Sequence, residues 1–398
     1  MRLALLVAAL GYFVDVFDIW LYSVYRVSSL TALGYSGETL TQHSTTILNA
    51  QMLGMILGGL VFGVMGDKLG RKASLFGSIL IYASATIFNG FVWDAESYAL
   101  ARLIAGFGLA GELGAGVALT MEIMPKQHRG WAPAIIAGFG LFGCVAAALI
   151  SEVIDWRTGY IVGGSMGFML FLLRVKVAES GLYTASRNAE VRYGALTDLL
   201  AKPERLRRYL LCILIGMPVW FVSGIMLIFA PELGRELGVT APVVAGHAIL
   251  YFSVALAIGD IACGYVSQRL RSRRKALISF LLILSAFCLA YFSLRGMNLA
   301  QFYGLLCLIG FFTGYWAVFM ASVTEQFGTN LRATAATTVP NFVRGSVLLM
   351  TFLLGMLKPY LGLTNAALTV GCIVMATALA AAALLPESFD KELDYLEE

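Results

Sequence analysis

Residues 63–72 read Gly63-Val64-Met65-Gly66-Asp67-Lys68-Leu69-Gly70-Arg71-Lys72 and lie between two long apolar runs. A related stretch recurs at residues 264–275, with one residue inserted, as Gly264-Tyr265-Val266-Ser267-Gln268-Arg269-Leu270-Arg271-Ser272-Arg273-Arg274-Lys275. Charged residues are costly beside the hydrocarbon of a bilayer, so two polar loops of one kind are not expected by chance. The recurrence predicts a chain built from two related halves.

The composition points to a membrane protein. Apolar residues make up 59% of the 398 residues and charged residues only 13%, which is more apolar surface than a soluble core can bury. About 20 apolar residues span the hydrocarbon as a helix, and twelve runs meet this length: 3–30, 44–66, 73–93, 97–124, 131–153, 159–177, 207–233, 242–268, 276–294, 299–326, 335–357 and 366–385. We therefore predict an all-α integral membrane protein with twelve transmembrane helices in two six-helix bundles, residues 1–177 and 207–398, joined by a cytoplasmic linker, residues 178–206.

The basic residues predict the orientation of the chain. If the N-terminus is cytoplasmic, the loops on that side carry Lys68, Arg71, Lys72, Lys126, Arg129, Arg269, Arg271, Arg273, Arg274, Lys275 and Arg332, besides the arginines and lysines of the linker. The opposite loops carry only Arg157, Arg235, Arg295 and Lys358. Cytoplasmic loops are enriched in lysine and arginine, so both termini are predicted to be cytoplasmic. The net charge of +4 is then an orientation signal and does not indicate a nucleic-acid partner.

No pattern in the chain favours catalysis. The sequence has no metal-spaced His or Glu cluster, no nucleophile elbow and no phosphate-binding loop. Its six cysteines all fall inside predicted spans, with spacing suited to neither zinc nor a disulfide framework. We expect neither an enzyme nor a metal or organic cofactor. A receptor that binds a ligand without moving it is a further class, which turnover of substrate in liposomes would exclude.

Several motifs resemble those of the major facilitator superfamily. Residues 63–72 resemble its loop between the second and third helices, Gly-x-x-x-Asp-Arg/Lys-x-Gly-Arg-Arg/Lys. Residues 102–112 are similar to its fourth helix, Arg-x-x-x-Gly-x-Gly-x-x-Gly, and residues 122–130 to the Glu-x-x-Pro-x-x-x-Arg-Gly exit of sugar porters and metabolite symporters. Residues 325–332 echo that exit in the second half. The resemblance implies transport by alternating access around a site between the two bundles.

Other motifs indicate the branch of the superfamily. Residues 11–22 are similar to the first helix of metabolite:proton symporters, Gly-Asn-x-x-Glu-Trp-Tyr-Asp-Phe-x-x-Tyr, although the Asn is absent and Asp15 replaces the Glu. The ends of the sixth and twelfth spans, Glu179-Ser180 and Pro386-Glu387-Ser388, resemble the Pro-Glu-Ser and Pro-Glu-Thr endings of the same groups. In the second polar loop Gln268 replaces the aspartate, so the two loops are expected to act with unequal strength.

Carboxylates inside the spans are the candidates for proton coupling. Asp15 and Asp18 lie on one helix face near the middle of the first span, and Glu112 lies near the middle of the fourth. Such a group costs several kcal/mol unless it is paired, hydrated or protonated. Burial raises a carboxyl pKa and a nearby arginine lowers it, so a carboxylate whose arginine partner comes and goes can bind and release a proton. In sugar porters an aspartate of the first helix faces an arginine of the fourth, and the resemblance places Asp18 and Arg102 at these positions. A permanent structural salt bridge is the alternative.

Arginines inside the spans are the candidates for substrate binding. Arg344 lies in the eleventh span among apolar residues, and a guanidinium offers paired donors that match a carboxylate or phosphate. It can therefore clamp an anionic substrate, or it can neutralise Asp260 or Glu325. Arg344, Arg26 and Asp18 form the predicted substrate-binding set.

The polar loops also carry a predicted cytoplasmic gate. Asp67 can lie at a helix N-terminus, where the helix dipole favours an anion, and the resemblance identifies that helix as the eleventh. The predicted gating residues are Gly63, Asp67, Gly70, Arg71, Glu122, Arg129, Gln268, Glu325 and Arg332. Loop orientation alone is the competing explanation, although it gives no reason for an acidic residue at position 67.

These features together predict a secondary active transporter. We expect proton-coupled uptake of a small organic metabolite bearing a carboxylate, driven by the proton motive force, through a monomer that spans the cell membrane. Residues 138–143 of the fifth span have glycines but lack the Gly-Pro motif of many efflux antiporters, which favours uptake. Proton-coupled efflux and facilitated uniport are the alternatives.

Overall fold

The structure is a computed structural model that describes residues 2–68, 71–112, 131–179 and 201–389. These residues are almost entirely helical, and none of them lies in a β-strand. In this part of the chain seven helices are long and apolar enough to cross a membrane, one of them with room for two crossings, and Ser74–Asn89 and Gly138–Ile150 are shorter apolar helices. Each of the twelve predicted spans coincides with described helix, the fourth only as far as residue 112. The predicted all-helical membrane class is confirmed.

The first half contains six described helices. They are α1 (Arg2–Ala32), α2 (Gly37–Lys68), α3 (Arg71–Asn89), α4 (Ala95–Leu109), α5 (Trp131–Ile150) and α6 (Trp156–Glu179). A capping box begins α4, because Asp94 Oδ1 accepts the Ser97 N–H at 2.7 Å and Ser97 Oγ accepts the Asp94 N–H at 3.3 Å. The start of the fourth span is therefore encoded locally, two residues before the predicted one.

The second half differs from the prediction at three places. Its elements are α7 (Pro203–Phe221), a π-helical turn (Val222–Leu227), α8 (Ala230–Glu236), α9 (Ala245–Leu270), α10 (Arg273–Ser293), α11 (Leu299–Thr313), α12 (Trp316–Gln326) and α13 (Thr329–Leu384). The seventh and tenth spans, predicted as single helices, are each interrupted. The eleventh and twelfth spans follow each other without a loop, and the turn between them lies at Gly362, whose φ of 75° suits glycine.

The same pair of spans packs closely in each half. A Cβ added at Gly58 of α2 would overlap the Phe107 carbonyl of α4, and one added at Gly259 of α9 would overlap the Phe311 carbonyl of α11. Small residues allow such close approach of helix backbones in membranes. The second span thus packs on the fourth as the eighth packs on the tenth, which supports the repeat read from the polar loops.

The chain divides into two compact units. The first unit comprises residues 1–197 and 336–341, and the second comprises residues 198–335 and 342–398. The finer division into bundles at 1–177 and 207–398 with a linker at 178–206 stays a prediction, since residues 180–200 lie outside the described part.

Candidate coupling and gating sites

Asp18 of α1 and Arg102 of α4 form a buried ion pair in the first unit. Arg102 Nη1 lies 3.3 Å from Asp18 Oδ2 and 3.4 Å from Oδ1, and the two side chains are 0% and 1% exposed. Arg102 Nη2 also donates to the main-chain oxygen of Asp18 at 3.1 Å. The structure thus brings together two residues that the sequence indicated for proton coupling.

Neutral side chains complete the hydrogen bonds of this pair. Thr86 of α3 donates its hydroxyl to Asp18 Oδ1 at 2.7 Å, and Gln51 Oε1 of α2 accepts from Arg102 Nε at 3.3 Å. Charge-assisted bonds are usually about 2.7–2.9 Å long, so the ion pair is loose and the shortest bond to the carboxylate comes from a neutral hydroxyl. The coupling role of Asp18 stays a prediction.

A second buried ion pair joins Glu112, which follows α4, to Arg174 of α6. Arg174 Nη2 lies 2.7 Å from Glu112 Oε2, and Nη1 donates to Oε1 at 2.9 Å. Ser78 of α3 donates to Oε1 at 3.4 Å. Gly11 of α1 leaves room for the guanidinium, because an added Cβ would overlap Arg174 Nη2. This pair is short and bidentate, and it ties three helices together.

Asp15 belongs to the same polar interior. It is fully buried, and the buried Tyr82 of α3 lies within electrostatic reach of Glu112, Asp15, Arg174 and Asp18. The three carboxylates that the sequence indicated for coupling, together with Arg174, therefore lie near one tyrosine, and Arg102 joins them through its ion pair with Asp18. We refer to these carboxylates, their two arginines and Tyr82 as the coupling cluster.

Arg26 lies further along α1 and is also fully buried. Its Nη1 donates to Ser44 Oγ of α2 at 3.2 Å. The Tyr22 hydroxyl donates to the main-chain oxygen of Ser44 at 2.8 Å, and its ring packs edge-on against Tyr98 with 5.7 Å between ring centroids. The predicted substrate-binding Arg26 is thus held among serine and tyrosine hydroxyls.

Arg344 of α13 is buried in the second unit. Its guanidinium carbon lies 5.9 Å from the centroid of the Trp220 ring, which is cation–π distance. The alternative that it neutralises Asp260 or Glu325 is not realised in the described part of the chain. Asp260 accepts a main-chain N–H at the start of α12, and Glu325 pairs with Arg273.

Five residues of the second unit form a polar group that we term the loop cluster: Ser272, Arg273, Glu325, Glu387 and Ser388. Arg273 Nη2 and Nε donate to the two Glu325 carboxylate oxygens at 3.0 and 3.2 Å. Ser388 Oγ donates to Glu325 Oε2 at 2.8 Å. Glu387 accepts the Ser272 hydroxyl and the Arg273 N–H, the latter at 2.9 Å. The α9–α10 loop, the end of α12 and the segment after α13 are therefore joined.

The carboxylate of Glu387 is held in its ionised form. Partial burial alone would raise its pKa, but hydrogen bonds from Ser272 and from the main-chain N–H groups of Phe389, Arg273 and Ser388 hold the pKa below the ordinary value. The loop cluster thus contains the Arg273–Glu325 ion pair and, beside it, the Glu387 carboxylate, which accepts main-chain N–H groups.

Of the second-half gate residues predicted from sequence, only Glu325 lies in the loop cluster. Gln268 is exposed near the end of α9, and Arg332 donates from Nε to the main-chain oxygen of Thr324 at 3.0 Å. Sequence reasoning missed Arg273 and Glu387 as site residues. The available signals were the recurring loop motif and the Pro-Glu-Ser ending, which do not by themselves show that the two segments meet.

The first-half gate residues lie largely beyond the described side chains. Gly63 is a partly buried residue of α2. Asp67 and Arg71 lie at the end of α2 and the start of α3, with their side chains outside the described set. Gly70, Glu122 and Arg129 fall outside the described residues altogether, so the gate in this half stays a prediction.

Comparison with known proteins gives consistent matches. A family model described as Major Facilitator Superfamily matches residues 8–346. The sialic acid transporter NanX of Escherichia coli is 24% identical over 98% of this chain and 94% of its own length. The gentisate transporter of Corynebacterium glutamicum is 26% identical over 94% and 86%, and the 3-(3-hydroxy-phenyl)propionate transporter of Escherichia coli is 28% identical over 73% and 72%. Each of these three relatives is named as a transporter.

Proposed function

Because this chain belongs to the Major Facilitator Superfamily, we propose that it takes up a small organic acid together with a proton by alternating access. Membership of the family makes it a multi-pass membrane transporter and not an enzyme, as the sequence predicted. The coupled proton, the direction of transport and the substrate class are the substance of the proposal.

The charge balance of the coupling cluster is the main observation that supports proton coupling. The cluster holds the carboxylates of Asp15, Asp18 and Glu112 and the guanidiniums of Arg102 and Arg174. These five groups carry one excess negative charge when all are ionised, and net charge is costly in a buried site within a membrane. One proton balances them. The cluster is thus suited to bind a single proton in one state and release it in another.

Asp18 is the best placed carboxyl to carry that proton. Its bonds to Arg102 are long, whereas Glu112 is held by Arg174 through two short bonds. A modest movement of α1 against α4 would separate Asp18 from its arginine, and the Thr86 hydroxyl would keep the carboxyl in place after protonation. Asp15 and Glu112 remain the further coupling candidates.

The substrate class follows from the relatives and from two arginines. The three transporters named above carry, by their names, sialic acid, gentisate and a phenylpropionate, all of which bear a carboxylate. Arg26 of the first unit and Arg344 of the second unit are both buried. Arginine is suited to bind a carboxylate in a bidentate manner. The Trp220 ring beside Arg344 can in addition pack on an aromatic or ring-shaped acid.

The setting of the proposed activity follows from the basic loops. We expect a monomer in the cell membrane with both termini in the cytoplasm, driven by the proton motive force with no bound cofactor. In this orientation the loop cluster lies on the cytoplasmic side. There it can hold the second unit in one state of the transport cycle.

Uptake by purified protein in liposomes tests the proposal. The probe is the organic acid that gives the largest thermal stabilisation in a screen of aliphatic and aromatic acids. Asp18→Asn should lose accumulation driven by a pH gradient and retain exchange of labelled acid across the membrane, since exchange needs no release of the proton. The amide keeps the shape of the carboxyl but does not titrate.

Asp155→Asn is the matched control. Asp155 is an exposed carboxylate that caps the start of α6 through the Arg157 and Thr158 N–H groups, and its variant should accumulate like the wild type. Normal accumulation by Asp18→Asn would place the proton on another carboxyl. Wild-type uptake that ignores the pH gradient would instead support facilitated uniport, and exit driven by an inward proton gradient would support efflux antiport.

A further inference from the structure

We propose that Asp260 is a second proton-binding site, whose protonation loosens α12 and, through it, the loop cluster. The inference rests on the proposed proton coupling for its place in the transport cycle. The arrangement that supports it lies entirely within the second unit.

The tenth span is broken directly beside Asp260. Helix α11 ends at Thr313 and α12 begins at Trp316. The Gly314 N–H still bonds back to the Gly310 carbonyl at 3.1 Å, and the Tyr315 hydroxyl is fixed by the main-chain oxygen of Ile215 at 3.0 Å. The first N–H groups of a new helix lack partners within that helix, so the break requires an acceptor from elsewhere.

Asp260 of α9 supplies this acceptor. Its Oδ1 accepts the Ala317 N–H at 3.0 Å, and its carboxylate also accepts the Trp316 N–H. A Cβ added at Gly314 would crowd the main chain of α9 at Asp260 and Leu256, so the break and the carboxylate are held in close contact. An ionised carboxylate at a helix N-terminus is stabilised by the N–H groups and by the helix dipole.

The charge of Asp260 has no partner among the cations of the described residues. Cys263, on the same helix, is the ionisable side chain within its electrostatic reach. Five ionisable groups on the other elements packed near α9 make contacts with other residues: Tyr303 with Val244, Cys307 with Tyr251, Cys288 with Met226, Tyr315 with Ile215, and Arg273 with Glu325. The remaining ionisable residues of α8 and α10, namely Glu232, Arg235, Glu236, Arg274, Lys275 and Tyr291, are not among the groups that act on the Asp260 carboxyl. Main-chain N–H groups therefore hold a buried charge here. Protonation removes that charge and leaves a neutral, weaker acceptor at the start of α12.

Helix α12 connects this site to the loop cluster. Its 11 residues span about 16 Å at a rise of 1.5 Å per residue. Glu325, near its far end, binds Arg273 and Ser388, and Gln326 Nε2 donates to the main-chain oxygen of Pro386 at 2.7 Å. A helix of three turns moves as a unit, so a change of its first turn is transmitted to the residues that hold the loop cluster.

Hydrogen exchange of the detergent-purified full chain tests the proposal without substrate or gradient. After correction for intrinsic rates, exchange at residues 316–318 and 387–389 of the wild type should rise about fivefold or more between about pH 8 and about pH 5. Asp260→Asn should show the faster exchange at every pH in this range. Asp260→Glu, which can still ionise, should keep a pH step.

The matched control is Asp94→Asn, which alters another carboxylate cap at the start of a helix and should leave the step at residues 316–318 unchanged. A wild-type protein without a pH step at these residues would overturn the proposal, even if Asp260→Asn did not fold. A step that persists in Asp260→Asn would overturn it equally. If the wild-type protein showed no pH-driven uptake, the proposed function would be contradicted. The hydrogen-exchange result at residues 316–318 would still stand.

Discussion

Gly11→Ala should destabilise the protein by about 1–2 kcal/mol through the Glu112–Arg174 ion pair. The added Cβ would overlap Arg174 Nη2 and lie 3.4 Å from Glu112 Oε2. The overlapping atom is the end of a flexible side chain, so we expect the guanidinium to retreat and give up one of its two bonds to Glu112. A hydrogen bond to a charged group contributes about 1.5–3 kcal/mol, and the replacement of a helical glycine by alanine returns about 0.5–1 kcal/mol.

Unfolding of the purified protein in detergent, followed by tryptophan fluorescence, measures this effect. Gly138→Ala in α5 is the matched control, because an added Cβ there meets no atom within 4 Å, and it should be neutral or slightly stabilising. The decisive comparison is Gly11→Ala in a Glu112→Gln/Arg174→Gln background, where the loss should disappear because no ion pair remains to disturb. An equal loss in both backgrounds would refute the assignment of Gly11 to this ion pair.

Two further predictions concern the loop cluster. Arg273→Gln should lower the stability of the loop cluster by about 1 kcal/mol, the upper range for a partly exposed ion pair, and so raise hydrogen exchange at residues 387–389 about fivefold. Gln268→Ala, which removes an exposed side chain from the same loop, should change this exchange little. Equal effects of the two variants would contradict the role of Arg273. The pKa of Glu387 lies below its ordinary value of 4.5, so its stabilising effect is complete above that value and is lost as the pH falls through the lower folded-state pKa. Glu387→Gln should therefore exchange faster than the wild type at residues 388–389 at pH 7, and the difference should vanish in acid; a difference that persists below the lowered pKa would show that it does not arise from the charge.

The buried charges of the first unit were the most predictable part of the site. Any charge inside an apolar span needs a partner, and the resemblance to sugar porters implied one for Asp18, namely Arg102. Arg174 was missed although it obeys the same rule. It lies near the end of the sixth span, where an arginine is equally expected as an orientation signal. Only the structure shows that Gly11 of α1 opens the space that brings its guanidinium to Glu112.

The breaks of the second unit were not predictable from apolar runs. Residues 299–326 form one continuous apolar stretch, and the interruption at Gly314 and Tyr315 depends on a contact with Asp260 that is distant in sequence. The second polar loop, residues 264–275, also led to a wrong choice of site residue. The motif aligned Gln268 with the aspartate of the first loop, but in the folded chain Ser272 caps α10 and Arg273 makes the ion pair.

Proton movement that accompanies substrate is the most direct test of the proposed symport. Wild-type proteoliposomes with a pH-sensitive dye inside, and equal pH on both sides, should acidify internally when the selected organic acid is added outside. The rate should exceed that of empty liposomes, which report passive entry of the protonated acid, and Asp18→Asn should fall to that background. Uptake of the acid by the wild type with no acidification beyond the empty liposomes would contradict proton-coupled symport.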